Sequence, residues 1–208
     1  MSTAFDQELV ATVVGDMRNW LERAVIGLNL CPFAKSVHVK GQVHYVVSQA
    51  TDTKSLRHEL ARELRALHAA DPLQRDTTLL MTPAFLQDFL DFNDFLEDAD
   101  EVLSELELDG ILQIASFHPQ FQFAGTDADD ITNYTNRAPY PTLHLLREES
   151  IDRAVDAYPQ AEDIYEKNMQ TLERLGHAGW KALGVGATGE SPDPSTPDPA
   201  TEPQGKRR

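Results

Sequence analysis

Between residues 43 and 117 the chain alternates short β-forming runs with stretches of helical leucine periodicity. No other feature narrows the fold as much. Val43 to Ser48 predicts a strand. Asp52 or Thr53 then caps a helix that sets Leu56, Leu60, Leu64 and Leu67 on one face, and Asp71-Pro72 closes it. Thr77 to Met81 predicts a second strand. Pro83 opens a long helix reaching Leu106, with Leu86, Leu90, Leu96, Leu103 and Leu106 expected to face inward. Asp109-Gly110 turns the chain, and Ile111 to Phe117 predicts a third strand. Strand–helix–strand–helix–strand order calls for a parallel or mixed sheet with helices packed on it.

The flanks complete this plan. Val10, Val13, Met17, Ala24 and Leu28 recur at helical spacing and predict a first helix over Phe5–Leu30, capped by Ser2 or Thr3. Cys31-Pro32 stops it, because the residue before proline avoids the α region. Pro141 to Leu146 predicts a fourth strand. Ser150 is placed to cap a short helix, and Gln160 to Leu175 predicts a last helix ended by Gly176. The expectation is a single α/β domain over residues 1–185, a small mixed and largely parallel sheet of about four strands packed with helices. Residues 186–208 hold five of the twelve prolines and no apolar residue larger than Ala. They are expected to form a disordered tail, having nothing to bury against the entropy of ordering.

Charge narrows the function classes. The 208 residues carry 34 acids against 18 bases, a formal net charge of -16. That argues against nucleic acid, whose phosphates need Lys and Arg, and against docking on an anionic membrane. The imbalance is local: residues 71–110 hold twelve acids and one base, Arg75, for a net -11. Asp88, Asp91, Asp94, Asp98, Glu101 and Glu105 fall at spacings of three or four and form one acidic stripe on the predicted third helix. It is a solvated face or a docking face for a basic protein partner. The single cysteine, Cys31, excludes an intrachain disulfide and fits a reducing cytoplasm. No signal peptide is visible at the N-terminus.

Residues 118–140 are the most informative for function. Loops beyond roughly 12–15 residues are uncommon in compact domains and are often functional. This one carries Phe121, Phe123, Ile131, Tyr134 and Tyr140, which favour order, and site-like polar groups: His118, Asp130, Asn133, Asn136 and Arg137. His144, Arg147 and Glu148 follow directly. In open α/β sheets ligands bind beyond the C-terminal ends of strands, where His118 is expected.

Three stretches carry a family resemblance: Gly27-Leu28-Asn29-Leu30-Cys31-Pro32-Phe33-Ala34, Ser116-Phe117-His118-Pro119, and Asn133 through Glu148. Over roughly residues 8–180 the chain resembles a bacterial family catalogued as domain of unknown function 1415. The family pattern often has Ser at Ala138 and Tyr at Phe121, and neither change removes an ionisable group at neutral pH. The resemblance implies a bacterial cytosolic setting and no particular reaction, so the chemistry rests on the residues.

The leading expectation is an enzyme acting on a small anionic metabolite at a site built by residues 116–148. His118 and His144 are the candidate acid–base pair, since imidazole titrates near neutral pH. Arg137 and Arg147 are the anion ligands, because guanidinium binds carboxylate or phosphate bidentately. Asn133 and Asn136 orient the substrate or fix the loop. The same histidines with Asp130 or Glu148 are a candidate metal set, with the metal unknown. HExxH and Cys-x-x-Cys are absent, and Asp127 to Asp130 lacks the Gly and Glu of a calcium loop. Cys31 is a candidate nucleophile, opposed by its place at a helix C-terminus, where the dipole disfavours a thiolate. Gly184-Val185-Gly186-Ala187-Thr188-Gly189 matches G-x-G-x-x-G, but a Pro-rich tail follows where a dinucleotide site needs a helix, so no cofactor is assigned. The alternative is a non-catalytic interaction protein that works through the acidic helix around residues 85–106.

Overall fold

A computed structural model describes residues 7–158 and 163–188. Helix α1 (Gln7–Trp20) runs into a π-helical turn (Leu21–Ile26), followed by a short α2 (Ala34–Val39). Then come β1 (Val43–Val47), α3 (Thr53–Ala69), β2 (Thr77–Met81), α4 (Phe89–Glu105) and β3 (Leu112–Phe117). A 3-10 turn (Ile131–Thr135) interrupts the long loop before β4 (Thr142–Arg147), α5 (Glu148–Asp156) and α6 (Ile164–Leu183). The fold is α/β. The proposed tail lies outside the described residues from position 189 onward.

The four strands form one sheet in the order β1-β2-β4-β3. Only β1 and β2 pair in parallel; β4 runs antiparallel to both β2 and β3. The sheet is therefore mixed, and the largely parallel arrangement expected from the alternation is corrected. The cause is the connection after β3. A parallel return needs a crossover, usually helical. Here an irregular loop returns the chain from the end at which β3 finishes, and β4 inserts antiparallel between β2 and β3.

The sheet separates two apolar layers. Leu80, Leu143 and Leu145 face α3 and α4, where they meet Leu56, Leu60, Phe92 and Val102. Leu79, Met81 and Phe117 face α1 and the π turn, packing with Val13, Met17, Trp20 and Ala24. Asp52 starts α3 with a capping box shared with Ser55. Helix α4 begins at Phe89, later than Pro83 suggested, because Leu86 adopts a left-handed φ of 59° and Asp88 caps the first turn. This late start leaves Leu90 70% exposed rather than inward. Gly176 breaks the helical conformation with φ 63°, yet the helix resumes and runs to Leu183.

Candidate functional site

Side chains alternate between the two faces of a sheet, and this separates the two histidines. His144 is directly paired with Leu79 and Ala115, on the α1 side. His118 follows Ile114 and Ser116 on the α4 side and packs between Phe89 and Phe92, with ring centroids 5.4 and 5.1 Å away. The proposed acid–base pair is corrected: the two imidazoles lie on opposite faces of one sheet and cannot exchange a proton.

Each histidine is satisfied where it sits. The Gln120 amide donates to His118 Nδ1 at 3.0 Å, so Nε2 carries the proton that bonds to the Leu86 carbonyl at 3.1 Å. Burial holds this imidazole below its ordinary pKa. The Thr77 hydroxyl donates to the Leu145 carbonyl at 2.7 Å, which makes His144 Nε2, 2.7 Å from the same oxygen, the donor. Burial pushes the His144 pKa down to about 4. Both rings are neutral at pH 7.

The other candidates divide between scaffold and cleft. Arg147 donates to the carbonyls of Leu67, Ala70 and Arg75, tying β4 to the end of α3 and the loop after it. Asn133 is fully buried; its Oδ1 accepts from the Phe123 amide and the Thr126 hydroxyl, and its Nδ2 donates to the Asp127 carbonyl. Asn136 Nδ2 donates to the Ser116 carbonyl, and its own carbonyl accepts from the His118 amide. Burial raises the Cys31 thiol pKa against hydrogen bonds from the Phe33 and Ala34 amides. That makes it a weak nucleophile at neutral pH. Among the described residues no three His, Cys, Asp or Glu side chains gather around one point, so the proposed metal set does not assemble. Asp130 caps the 3-10 turn through Thr132.

Arg137 stands apart from these. Its Nε donates to the Phe121 carbonyl at 3.1 Å and one terminal nitrogen to the Ala128 carbonyl at 2.6 Å. The guanidinium carbon lies 4.4 Å from the Tyr134 ring centroid. The second terminal nitrogen has no hydrogen-bond partner among the described residues. Arg137 lines a cleft of about 130 Å³ together with Trp20, Pro119, Tyr134, Trp180 and the Val185–Ala187 segment. Trp20 donates its indole N–H to the Arg137 carbonyl at 2.9 Å, and Tyr134 meets Trp180 edge-on at 5.0 Å. The Val185–Ala187 wall is held by α1: Asn19 bonds to the Gly184 carbonyl, and buried Asp16 accepts from the Thr188 amide, the Thr188 hydroxyl and the Tyr140 hydroxyl.

Trp20, Tyr134 and Trp180 were not singled out as site residues by spacing, because they come from three distant segments. Rarity is the signal that points to two of them: the chain has two tryptophans, and both line this cleft. A larger surface groove of about 540 Å³ lies between α3 and α4, lined by Lys54, Arg57, His58 and Arg65. Its central cation is already engaged, since Arg57 bonds to Asp98, Glu101 and Glu105 at 2.6, 2.9 and 3.0 Å. Half of the acidic stripe thus faces an internal partner.

No helix among the described residues is long and apolar enough to cross a membrane. Neither the curated proteins nor the solved structures contain a match to this chain. The match to a family does cover most of it: over residues 12–182, the chain belongs to the family of proteins of unknown function DUF1415.

Proposed function

We propose that the protein recognises a small anion carrying a flat apolar group, with Arg137 as the anion's partner and Trp20, Tyr134 and Trp180 around its apolar body. This keeps the anionic-metabolite reading and moves its centre from the histidines to Arg137. The observation that carries it is Arg137 itself: it lines an aromatic cleft, its guanidinium is fixed by two backbone carbonyls and stacked on Tyr134, and one terminal nitrogen has no hydrogen-bond partner among the described residues. A guanidinium fixed in this way loses little conformational entropy on binding a carboxylate or phosphate. The cleft volume is on the scale of one aromatic ring, since a cavity of roughly 150 Å³ holds benzene. Its polar side chains, Tyr134 and Arg137, offer a hydroxyl and a guanidinium as hydrogen-bonding groups for recognition.

The two tryptophans supply the test. Titration with an aryl carboxylate and an aryl phosphate is expected to change the intrinsic fluorescence saturably. Arg137→Lys should weaken binding by about tenfold, since lysine cannot reproduce the planar fork. The matching uncharged aryl amide should give no saturable change. An equal response to the amide, or none to any aryl anion, sinks the proposal.

A further inference from the structure

The sheet has two edges, and they are treated differently. On β3, the backbone groups of Leu112, Ile114 and Ser116 point outward, because Ile111 and the odd-numbered residues bond to β4. That edge is plugged at both ends: the Leu112 amide donates to the Leu108 carbonyl, and Asn136 takes the Ser116 carbonyl and the His118 amide. Another strand cannot pair along it without displacing those groups. Helix α4, with its acidic stripe, also packs over β3.

β1 carries no such protection. The Thr77 amide bonds to the Gln42 carbonyl at one end, and the Ser48 amide bonds to the Met81 carbonyl at the other. These bonds set the alternation: Gln42, His44, Val46 and Ser48 bond to β2, while Val43, Tyr45 and Val47 turn their N–H and C=O groups outward. Among the described residues no bond outside the sheet takes those groups. His44 is exposed, and Val43, Tyr45, Val46 and Val47 are half-exposed. The run from Gly41 to Thr51 contains no Asp, Glu, Lys, Arg or Pro. Edge strands are normally guarded by charge, proline, a bulge or a covering segment; β1 itself holds no charged residue, proline or bulge, and the charge beside it comes from α1, whose Arg18 guanidinium stacks 5.4 Å from the Tyr45 ring centroid.

We propose that the β1 edge docks on β1 of a second copy of this chain, joining the two sheets into one antiparallel seam with its two-fold axis at Tyr45. The hydrogen-bond pattern accommodates this partner in full. The three outward residues are symmetric about Tyr45, so the two-fold sets Tyr45 against Tyr45 and Val43 against Val47. Every outward N–H then meets an outward C=O, and no group is left over. Charge points the same way. A chain of net -16 resists self-association, and β1 is an uncharged strip at the opposite end of the sheet from β3 and the acidic α4. Pairing there keeps the two acidic helices far apart.

Sedimentation and backbone amide exchange of the full chain test the proposal. The wild type is expected to form a dimer whose Val43, Tyr45 and Val47 amides exchange more slowly as concentration rises. Val43→Pro removes an outward N–H that β2 does not use, so the intrachain ladder is retained. It deletes two seam hydrogen bonds per dimer and should weaken dimerisation by about tenfold or more. The wild-type exchange measurement stands even if this variant folds poorly. A chain that stays monomeric over the measured range overturns the proposal, including one whose β1 amides are protected only by an added extended peptide. So does a dimer in which these three amides exchange freely.

Discussion

His144 shows how a site-like residue becomes a structural one. Its half-buried ring lies on the α1 side of the sheet, and its Nε2 proton goes to Thr77. The folded state holds this imidazole neutral, with its pKa lowered from the ordinary 6.5 to about 4. The unfolded chain takes up a proton near 6.5 and the folded chain does not, so the contribution to stability is whole above pH 6.5 and fades as pH falls toward 4. The loss amounts to roughly 3 kcal/mol at the acid end. Urea unfolding across this window should show it. His144→Gln keeps a donor near Thr77 without the titration and should flatten the slope there; an unchanged slope would refute the assignment. Glu63 acts at lower pH. Burial pulls its carboxyl up, but hydrogen bonds from Arg75 and Arg62 outweigh that and hold it below the ordinary glutamate value. Its contribution is lost only as pH falls below the ordinary 4.5. Cys31 offers a second check at this scale. With its thiol pKa raised by burial, alkylation by iodoacetamide at neutral pH should be much slower in the native chain than in urea. Equal rates would restore it as a reactive group.

At the scale of elements, the end of α4 carries an evident flaw. Glu107 adopts φ 56°, its amide bonds to the Ser104 carbonyl, and the Leu108 amide bonds to the Leu103 carbonyl. This is the Schellman ending, in which glycine normally fills the left-handed position. Here a glutamate bears the left-handed strain and adds a negative charge to the negative end of the helix dipole. Glu107→Gly is expected to raise stability by about 1 kcal/mol, read as a higher melting temperature. A lower melting temperature would show that the exposed side chain has a stabilising role. Such local rules explain what the sequence discloses and what it hides. The Thr77–Met81 strand and the Leu56–Leu67 helix face are legible because period and caps agree with their final burial. Leu90 misleads, because Asp88 starts the helix late and turns that position to solvent. The direction of β4 depends on how an irregular loop returns, which periodicity does not encode. The candidate site is legible only at Arg137. Its aromatic walls come from α1, the 3-10 turn and α6, and proximity across such sequence separations is set by tertiary packing.

For the whole molecule, the question is where a net charge of -16 acts. Most of the imbalance sits in residues 71–110, and three of the carboxylates there close on Arg57 across the α3–α4 seam. Exposed groups on α4 such as Asp91, Asp94, Glu97 and Asp100 have no ion-pair partner among the described residues. Each lies three residues from the next, about 4.5 Å along the helix axis and well inside the Debye length of about 10 Å at 0.1 M salt, so their repulsion is felt at low ionic strength and screened at high. Salt also weakens the ion pairs. The Arg57 cluster is partly exposed and loses some attraction, whereas Glu63 and Arg75 are mostly buried and screened less. The unpaired repulsion should dominate, so the melting temperature is expected to rise as sodium chloride is added from low concentration. Asp94→Asn should raise it at low salt, and the difference from wild type should shrink as salt increases. A melting temperature that falls steadily with salt would mean that the paired carboxylates outweigh the unpaired ones, and that the acidic helix is held mainly by its own ion pairs.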